Sequence, residues 1–411
     1  MNDLGELAQF ALVHARAQQI APDVCAGVLG RISHDEPGDG SWAAEWSRAA
    51  AQARAAGDPL AASRLYTMAR FPYCDGPARQ EAQELARASF ADWREAAGAP
   101  LTRLDVQLDG GLVRCWTTGL RTGPGAAAPP DRPVVVLMGG IVSTKEQWAP
   151  TLLRLRRFGL CGIVAELPGV GENTLPYAVD NGAMLSAVLD AAGIRRIGGG
   201  RAAVPVYALA MSFSGHLALQ CALADPRITG LITVGAPVHA FFARPEWHRR
   251  LPRVTVDTLA HLMGRPDADL GTVSALLAER ALPLGRLRDL RLPVAYVSSR
   301  RDEVIPAMEI DFLRQWAGRL DLIEFDDVHA SPAHTAVTGP WLVHALLRMD
   351  RSRPVQRAAL RLALPVLKAA TAVQAGRAAR ASAPSAIPPP AARPGPGARR
   401  AVPAPSSQKG S

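Results

Sequence analysis

Three residue types that together perform nucleophilic acyl chemistry follow one another along the chain: Ser212, Asp302 and His329. A serine hydroxyl is a weak nucleophile until an imidazole takes its proton. The imidazole in turn needs a carboxylate to fix its tautomer and stabilise its charged form. Residues 204–219, VPVYALAMSFSGHLAL, read as a buried strand, a sharp turn and a helix, with Ser212 at the apex. In a turn of this kind the residues two before and two after the serine must be small, so that strand and helix can approach. Ala210 and Ser214 occupy those positions where glycines are usual, and Gly215 follows. Taken alone, Ser212 would read as a helix cap; its position after the fifth strand and its downstream partners make it a nucleophile.

The acid and the base are each chosen from two candidates. Asp302 and Glu303 lie in SSRRDEVIP (298–306), just after an apolar run, and Asp302 is preferred; both could instead be loop charges paired with Arg300 or Arg301. His329 and His334 lie in EFDDVHASPAH (324–334), and His329 is preferred because it comes sooner after the strand. The order Ser, Asp, His is that of α/β-hydrolases and not of chymotrypsin or subtilisin. An oxyanion hole needs backbone N–H donors. One would come from Phe213 and the other from Ile141 or Val142, after the Gly139-Gly140 pair that allows close backbone approach. Ser143 and Glu146 fit a capping box for the next helix.

Elements able to hold these residues can be read from the pattern. Short β-branched runs at 106–108, 112–117, 134–138, 161–166, 204–210, 231–234, 293–297 and 320–325 predict eight strands. The last six are apolar enough for burial on both faces, as parallel strands between helices require. The expected fold is therefore α/β: a mostly parallel sheet of eight strands entered through two antiparallel ones. Residues 1–100 are rich in Ala, Arg, Glu and Leu and predict a helical region that helps roof the site, with helices at 42–56, 61–69 and 78–97. Residues 101–350 form the catalytic domain. The long connection between the sixth and seventh strands predicts a helical cap at about 238–290, above the carboxyl ends of the strands. Residues 351–411 read as a basic helix to about 379, then a disordered tail rich in Ala, Pro and Arg.

Net charge is +9, which invites a nucleic-acid reading. Its distribution argues otherwise, because residues 351–411 hold eleven Lys or Arg and no acid, leaving 35 basic against 37 acidic residues before them. A tail without interleaved aromatics reads as a solvated extension. Cys25, Cys74, Cys115, Cys161 and Cys221 stand singly, without metal-ligand spacing or disulfide-scaffold density, and read as reduced thiols. No apolar run approaches the roughly 18 residues that cross a bilayer, and the first residues lack a signal-peptide pattern. The expectation is a cytoplasmic enzyme, without metal or organic cofactor, acting on a small molecule and not on nucleic acid or membrane.

The Gly139-Gly140 pair with Ser143-Thr144-Lys145-Glu146, then LPGVGE (167–172), the elbow, and GAPVHAFF (235–242) together resemble the fermentation-respiration-switch-type esterases of the α/β-hydrolase superfamily. The likeness covers about residues 40–350. It implies hydrolysis of an ester, a thioester or a carbon–carbon bond next to a carbonyl in a bulky, polyketide-like metabolite, including a carrier-bound acyl chain, and is compatible with a homodimer. Some members use an extra acid near the cap; Glu246 lies in that region, and His239 and Gly140 are further pocket candidates. Glu166 stands where the family more often has Asp and receives no role. A lyase, cyclase or acyltransferase at the same site is the enzymatic alternative, and a non-catalytic scaffold the other.

Overall fold

The computed structural model describes residues 3–121, 130–197, 200–351 and 353–381; the tail expected to be disordered, residues 382–411, lies outside them. Five helices come first: α1 Leu4–Ala17, α2 Pro22–Leu29, α3 Trp42–Ala55, α4 Pro59–Ala69 and α5 Pro77–Ala96. Their starts follow helix-end chemistry. Asp3, Ser41 and Asp58 accept the N–H three residues on, and Pro22, Pro59 and Pro77 occupy first positions, where no N–H is needed. The bundle has its own core of Leu7, Trp42, Trp46, Met68 and Phe71, and Val254 of the cap packs into it.

Eight strands follow: β1 Thr102–Leu108, β2 Gly111–Thr118, β3 Val134–Met138, β4 Cys161–Ala165, β5 Val206–Met211, β6 Ile228–Val234, β7 Val294–Ser299 and β8 Leu320–Phe325. They form one sheet in the order β1-β2-β4-β3-β5-β6-β7-β8. Only the pairings β1 with β2 and β2 with β4 are antiparallel. Strands β3, β4 and β7 are buried along their whole length, as two-sided packing demands. In β8 that expectation fails: only Ile323 and Phe325 are buried and Glu324 is exposed, because β8 is the sheet edge.

Helices cover both faces. On one, α7 Gly182–Ala191, α8 Phe213–Ala224 and α14 Met308–Trp316 pack with the cap; on the other lie α5, α6 Lys145–Arg156, α15 Thr335–Asp350 and α16 Pro354–Ala381. Between β6 and β7 the chain makes five short helices, α9 Ala240–Ala243, α10 Pro245–His248, α11 Arg253–Leu262, α12 Leu270–Ala278 and α13 Leu284–Leu287. The buried carboxylate of Glu309 accepts the backbone N–H groups of His239 and Phe241, at 2.9 and 2.7 Å, and so anchors the start of this insertion. Among the described residues no helix is long and apolar enough to cross a membrane.

Candidate active site

Strand β5 ends at Met211 and α8 begins at Phe213, so Ser212 alone makes the turn, with φ 52° and ψ −129°. That is a left-handed conformation for a residue with a Cβ, and it persists because the strand and helix on either side over-determine it. Close packing behind it requires small residues. A Cβ on Gly215 would stand 2.4 Å from Thr233 Oγ1 and 2.5 Å from Ala236 Cβ.

Asp302 follows β7 and His329 follows β8. Ser212 Oγ lies 3.1 Å from His329 Nε2, and His329 Nδ1 lies 3.0 Å from each carboxylate oxygen of Asp302. With Nδ1–H donating to Asp302, Nε2 is free to accept the serine proton. Asp302 Oδ1 is itself held by the N–H groups of Val304 and Ile305, at 2.9 and 2.7 Å. Glu303 does not touch the ring; its carboxylate accepts the backbone N–H of His329 at 3.0 Å. His334 stacks on Phe325 and bonds Asp327 at 3.0 Å, away from Ser212. Burial pulls the pKa of His329 down, but the charge of Asp302, its hydrogen bond and the charge of Glu303 outweigh this and hold it above the ordinary histidine value.

The loop after β3 lies against the elbow. A Cβ on Gly140 would stand 3.3 Å from Ser212 Cβ, and the hydroxyl of Ser214 donates to the carbonyl of Gly139. The Gly140 carbonyl accepts from Ser143 N at 3.1 Å, so the planar peptide sends the Ile141 N–H the opposite way, out of that turn. Phe213 is the first residue of α8, where an N–H has no acceptor within the helix.

The capping box does not form. Thr144 is the cap residue without a side-chain bond, because the Glu146 carboxylate is turned inward to Lys145 Nζ at 2.9 Å and the Trp116 indole at 3.1 Å. Glu166, assigned no role from sequence, does the capping: it accepts the backbone N–H of Lys145 at 3.0 Å and of Glu172 at 2.9 Å. Lys145 Nζ also meets Glu166 at 3.4 Å and Glu172 at 2.7 Å. Burial pushes the carboxyl of Glu166 up, with Lys145 opposing. This buried charge cluster fixes the helix that follows the loop after β3; a glutamate just past a fully apolar strand was the signal for it.

Two further pocket candidates make contacts of their own. Glu246 is exposed on α10 and pairs with Arg244 at 3.3 Å, since nothing there removes its charge from water. His239 turns its ring to Leu282 O, at 2.9 Å, and edge-on to Phe312. The N-terminal bundle also reaches the loops around Ser212 and His329. Arg70 donates to Val142 O at 3.1 and 3.3 Å, Arg16 donates to Pro332 O at 2.8 Å, and His14 packs on Phe71 with ring centres 5.1 Å apart. Burial, then the nearby charges of His329 and Arg70, lower the pKa of His14 to about 4. Among the described residues no group of three or more His, Cys, Asp or Glu could hold a metal ion.

A mostly parallel eight-stranded sheet with a serine elbow after β5, an acid after β7 and a histidine after β8 defines an α/β-hydrolase. The chain belongs to the FrsA-like esterase family, whose model matches residues 37–324. It is 24% identical over 286 residues to the esterase FrsA of Vibrio vulnificus, spanning 65% of this chain and 66% of that one, just under two thirds of the relative's length. With the esterase FrsA of Citrobacter koseri it shares 25% identity over 329 residues, 75% of this chain and 77% of that one. Among solved structures it is similar to wild-type AbyA5, with 44% identity and a TM-score of 0.80 over 89% of this chain and 100% of that one. The 2,6-dihydroxy-pseudo-oxynicotine hydrolase shares the fold at 21% identity and a TM-score of 0.61, over 82% of this chain and 95% of that one.

Proposed function

We propose that the chain is a serine hydrolase that cleaves an ester, a thioester or a carbon–carbon bond next to a carbonyl in a bulky acyl metabolite, through Ser212, His329 and Asp302. The observation that carries this reading is the continuous relay from Ser212 Oγ to His329 Nε2 and from His329 Nδ1 to Asp302, at 3.1 and 3.0 Å. Membership of an esterase family points the same way.

Attack of Ser212 Oγ on the substrate carbonyl transfers the hydroxyl proton to His329 Nε2, and Asp302 stabilises the imidazolium. The tetrahedral oxyanion is met by the backbone N–H group of Phe213 and by that of Ile141 or Val142. His329 then protonates the leaving group, and the resulting acyl-serine is cleared when the same histidine deprotonates a water. A fluorophosphonate probe tests the assignment. It should label Ser212 in the wild type and nothing in Ser212→Ala, and aryl esters, acyl thioesters and β-diketones assayed side by side should identify the bond cleaved. Retained turnover in Ser212→Ala, or labelling of another serine, overturns the proposal.

A further inference from the structure

Arg70 is a buried cation with no buried anion to answer it. It ends α4 at 2% exposure, and no carboxylate among the described residues lies within 4.0 Å of its guanidinium. Its hydrogen bonds go to neutral carbonyls: both terminal nitrogens to Val142 O, and Nη2 also to Pro72 O at 3.1 Å. Nε has no partner. Two other buried arginines are paired, Arg79 with Asp35 and Asp75 and Arg227 with Asp225 and Asp190, whereas Arg280 also donates only to carbonyls, those of Leu276 and Tyr177, with its guanidinium over the Tyr177 ring and away from the loop after β3. A guanidinium stays charged in any protein, and burying it unpaired costs several kcal/mol unless something else supplies the negative charge.

Position says what that something is. Val142 is two residues from Gly140, whose backbone stands against Ser212, so Arg70 grips the oxyanion loop from the bundle side. Phe71 beside it packs on His14, and Tyr73 stacks on His261 of the cap at 4.5 Å. The two imidazoles cannot neutralise Arg70. Burial keeps both His14 and His261 below the ordinary histidine value, and the charge of Arg70 adds to that effect in each case.

We propose that Arg70 is the anion-recognition residue of this site, and that the preferred substrate carries an ionised oxygen, a carboxylate or an enolate, near the carbonyl that Ser212 attacks. The proposal rests on the serine-hydrolase reading for the identity of the reaction, though not for the existence of the anion site. Arg70 is the natural residue for the task, because a planar guanidinium binds two oxygens at once and holds its charge at every working pH.

Matched esters of the full chain's substrate type test it: p-nitrophenyl valerate as the neutral ester, the mono-p-nitrophenyl ester of glutaric acid as the carboxylate, and an aryl ester bearing an acidic cyclic β-diketone as the enolate. In the wild type kcat/KM for one of the ionised esters should exceed that for the neutral ester, and whichever does so distinguishes carboxylate from enolate. Arg70→Gln should reduce the ratio of ionised to neutral by about 10- to 100-fold, as expected for loss of a charge-assisted hydrogen bond, while Arg70→Lys, which keeps the charge but not the planar pair of donors, retains part of it. A purely structural role would lower both rates and leave the ratio alone, which overturns the proposal. So does a wild type without preference. Should Arg70→Gln not fold, the wild type decides: glutarate or dimedone must inhibit neutral-ester hydrolysis competitively at lower concentration than glutarate dimethyl ester, and equal inhibition overturns the idea. If no ester is cleaved, thermal shifts separate the two claims. Stabilisation of the wild type by glutarate or dimedone, lost in Arg70→Gln, leaves the anion site standing and the hydrolase reading fallen; absence of any shift removes the anion site.

Discussion

The hydroxyl of Ser214 donates to the carbonyl of Gly139, so the helix that begins after the nucleophile and the loop that would bind the oxyanion are one mechanical unit. Glycine is the commoner residue at this elbow position. Serine is as compatible with the close strand–helix approach and adds a bond that glycine cannot make. Ser214→Ala leaves the buried Gly139 carbonyl without that donor, at a cost of about 1–3 kcal/mol. Both Tm and kcat should fall, and Ser214→Gly should not rescue either. Wild-type values in both variants would show that the bond does nothing for the loop.

His329→Ala should lower turnover by about 10⁴-fold, and Asp302→Asn should be comparably severe. His334→Ala should be mild, since His334 is spent on Asp327 and Phe325. Glu303→Gln should also be mild, because an amide oxygen still accepts the His329 N–H. For catalysis His329 must be neutral, so kcat/KM should rise with pH along a limb set above the ordinary histidine value by Asp302. In Asp302→Asn the residual activity should show that limb at lower pH. A limb that stays in place would detach it from this pair.

Gly235 tests the base by crowding rather than deletion. Its φ is 56°, and a Cβ there would lie 2.8 Å from His329 Cε1 and 3.1 Å from His329 Nδ1. Gly235→Ala should therefore reduce kcat by displacing the imidazole while the protein still folds, with a far-ultraviolet spectrum like that of the wild type. Full activity would mean that the ring has room to move without consequence.

Acid should destabilise the fold through neutral buried histidines. Burial holds His216, packed 4.3 Å from Phe242, at about 3, and His14 at about 4. In the unfolded chain both titrate near about 6.5, so as pH falls below that value the unfolded state takes up protons that the native state refuses. Stability present above pH about 6.5 is lost toward the folded values, by about 2 kcal/mol for His216 at pH about 5. His329 acts in the opposite sense, its contribution being present at low pH and lost as pH rises through its raised value. Tm measured from pH 7 to pH 5 should fall, and less steeply in His216→Leu. Equal slopes would contradict this.

Truncation after Arg380 should leave Tm and turnover near wild type. Truncation after Asp350 removes α16, whose Leu364 is buried against the sheet-side core and whose preceding Arg353 donates to Phe158 O. Burial of one leucine alone contributes about 1.5–3 kcal/mol, so the shorter chain should melt markedly lower. Equal melting of the two truncations would make α16 an appendage.

The strands and the elbow were legible because their signals are local. An apolar run ending in small-x-Ser-x-small dictates strand, turn and helix with little outside help, and Asp302 and His329 sit directly after strands. Residues whose roles depend on distant packing were not. Ser143 and Glu146 match a capping pattern, yet Trp116 and Lys145 draw Glu146 inward and Glu166 supplies the cap from another strand. Arg70 and His14 lie in an unremarkable helical stretch, and only the docking of the bundle on the loops after β3 and β8 brings them to the site. Strand β8 looked buried on both faces because composition does not reveal which strand is last in the sheet.

The hydrogen bond from Arg16 to Pro332 joins residues 316 apart, the first helix to the loop that carries His329. A polypeptide is made from its N-terminus at about 5–20 residues per second, so Ser212 emerges roughly 6–23 s before His329 does. Throughout that interval Ser212 has no imidazole partner, and the bundle can be held by the loop after β3 through Arg70 but not yet by the loop after β8 through Arg16. Ser212 therefore gains its imidazole partner only after nearly the whole folded body has been synthesised, and under the proposed function an incomplete chain carries out no acyl chemistry.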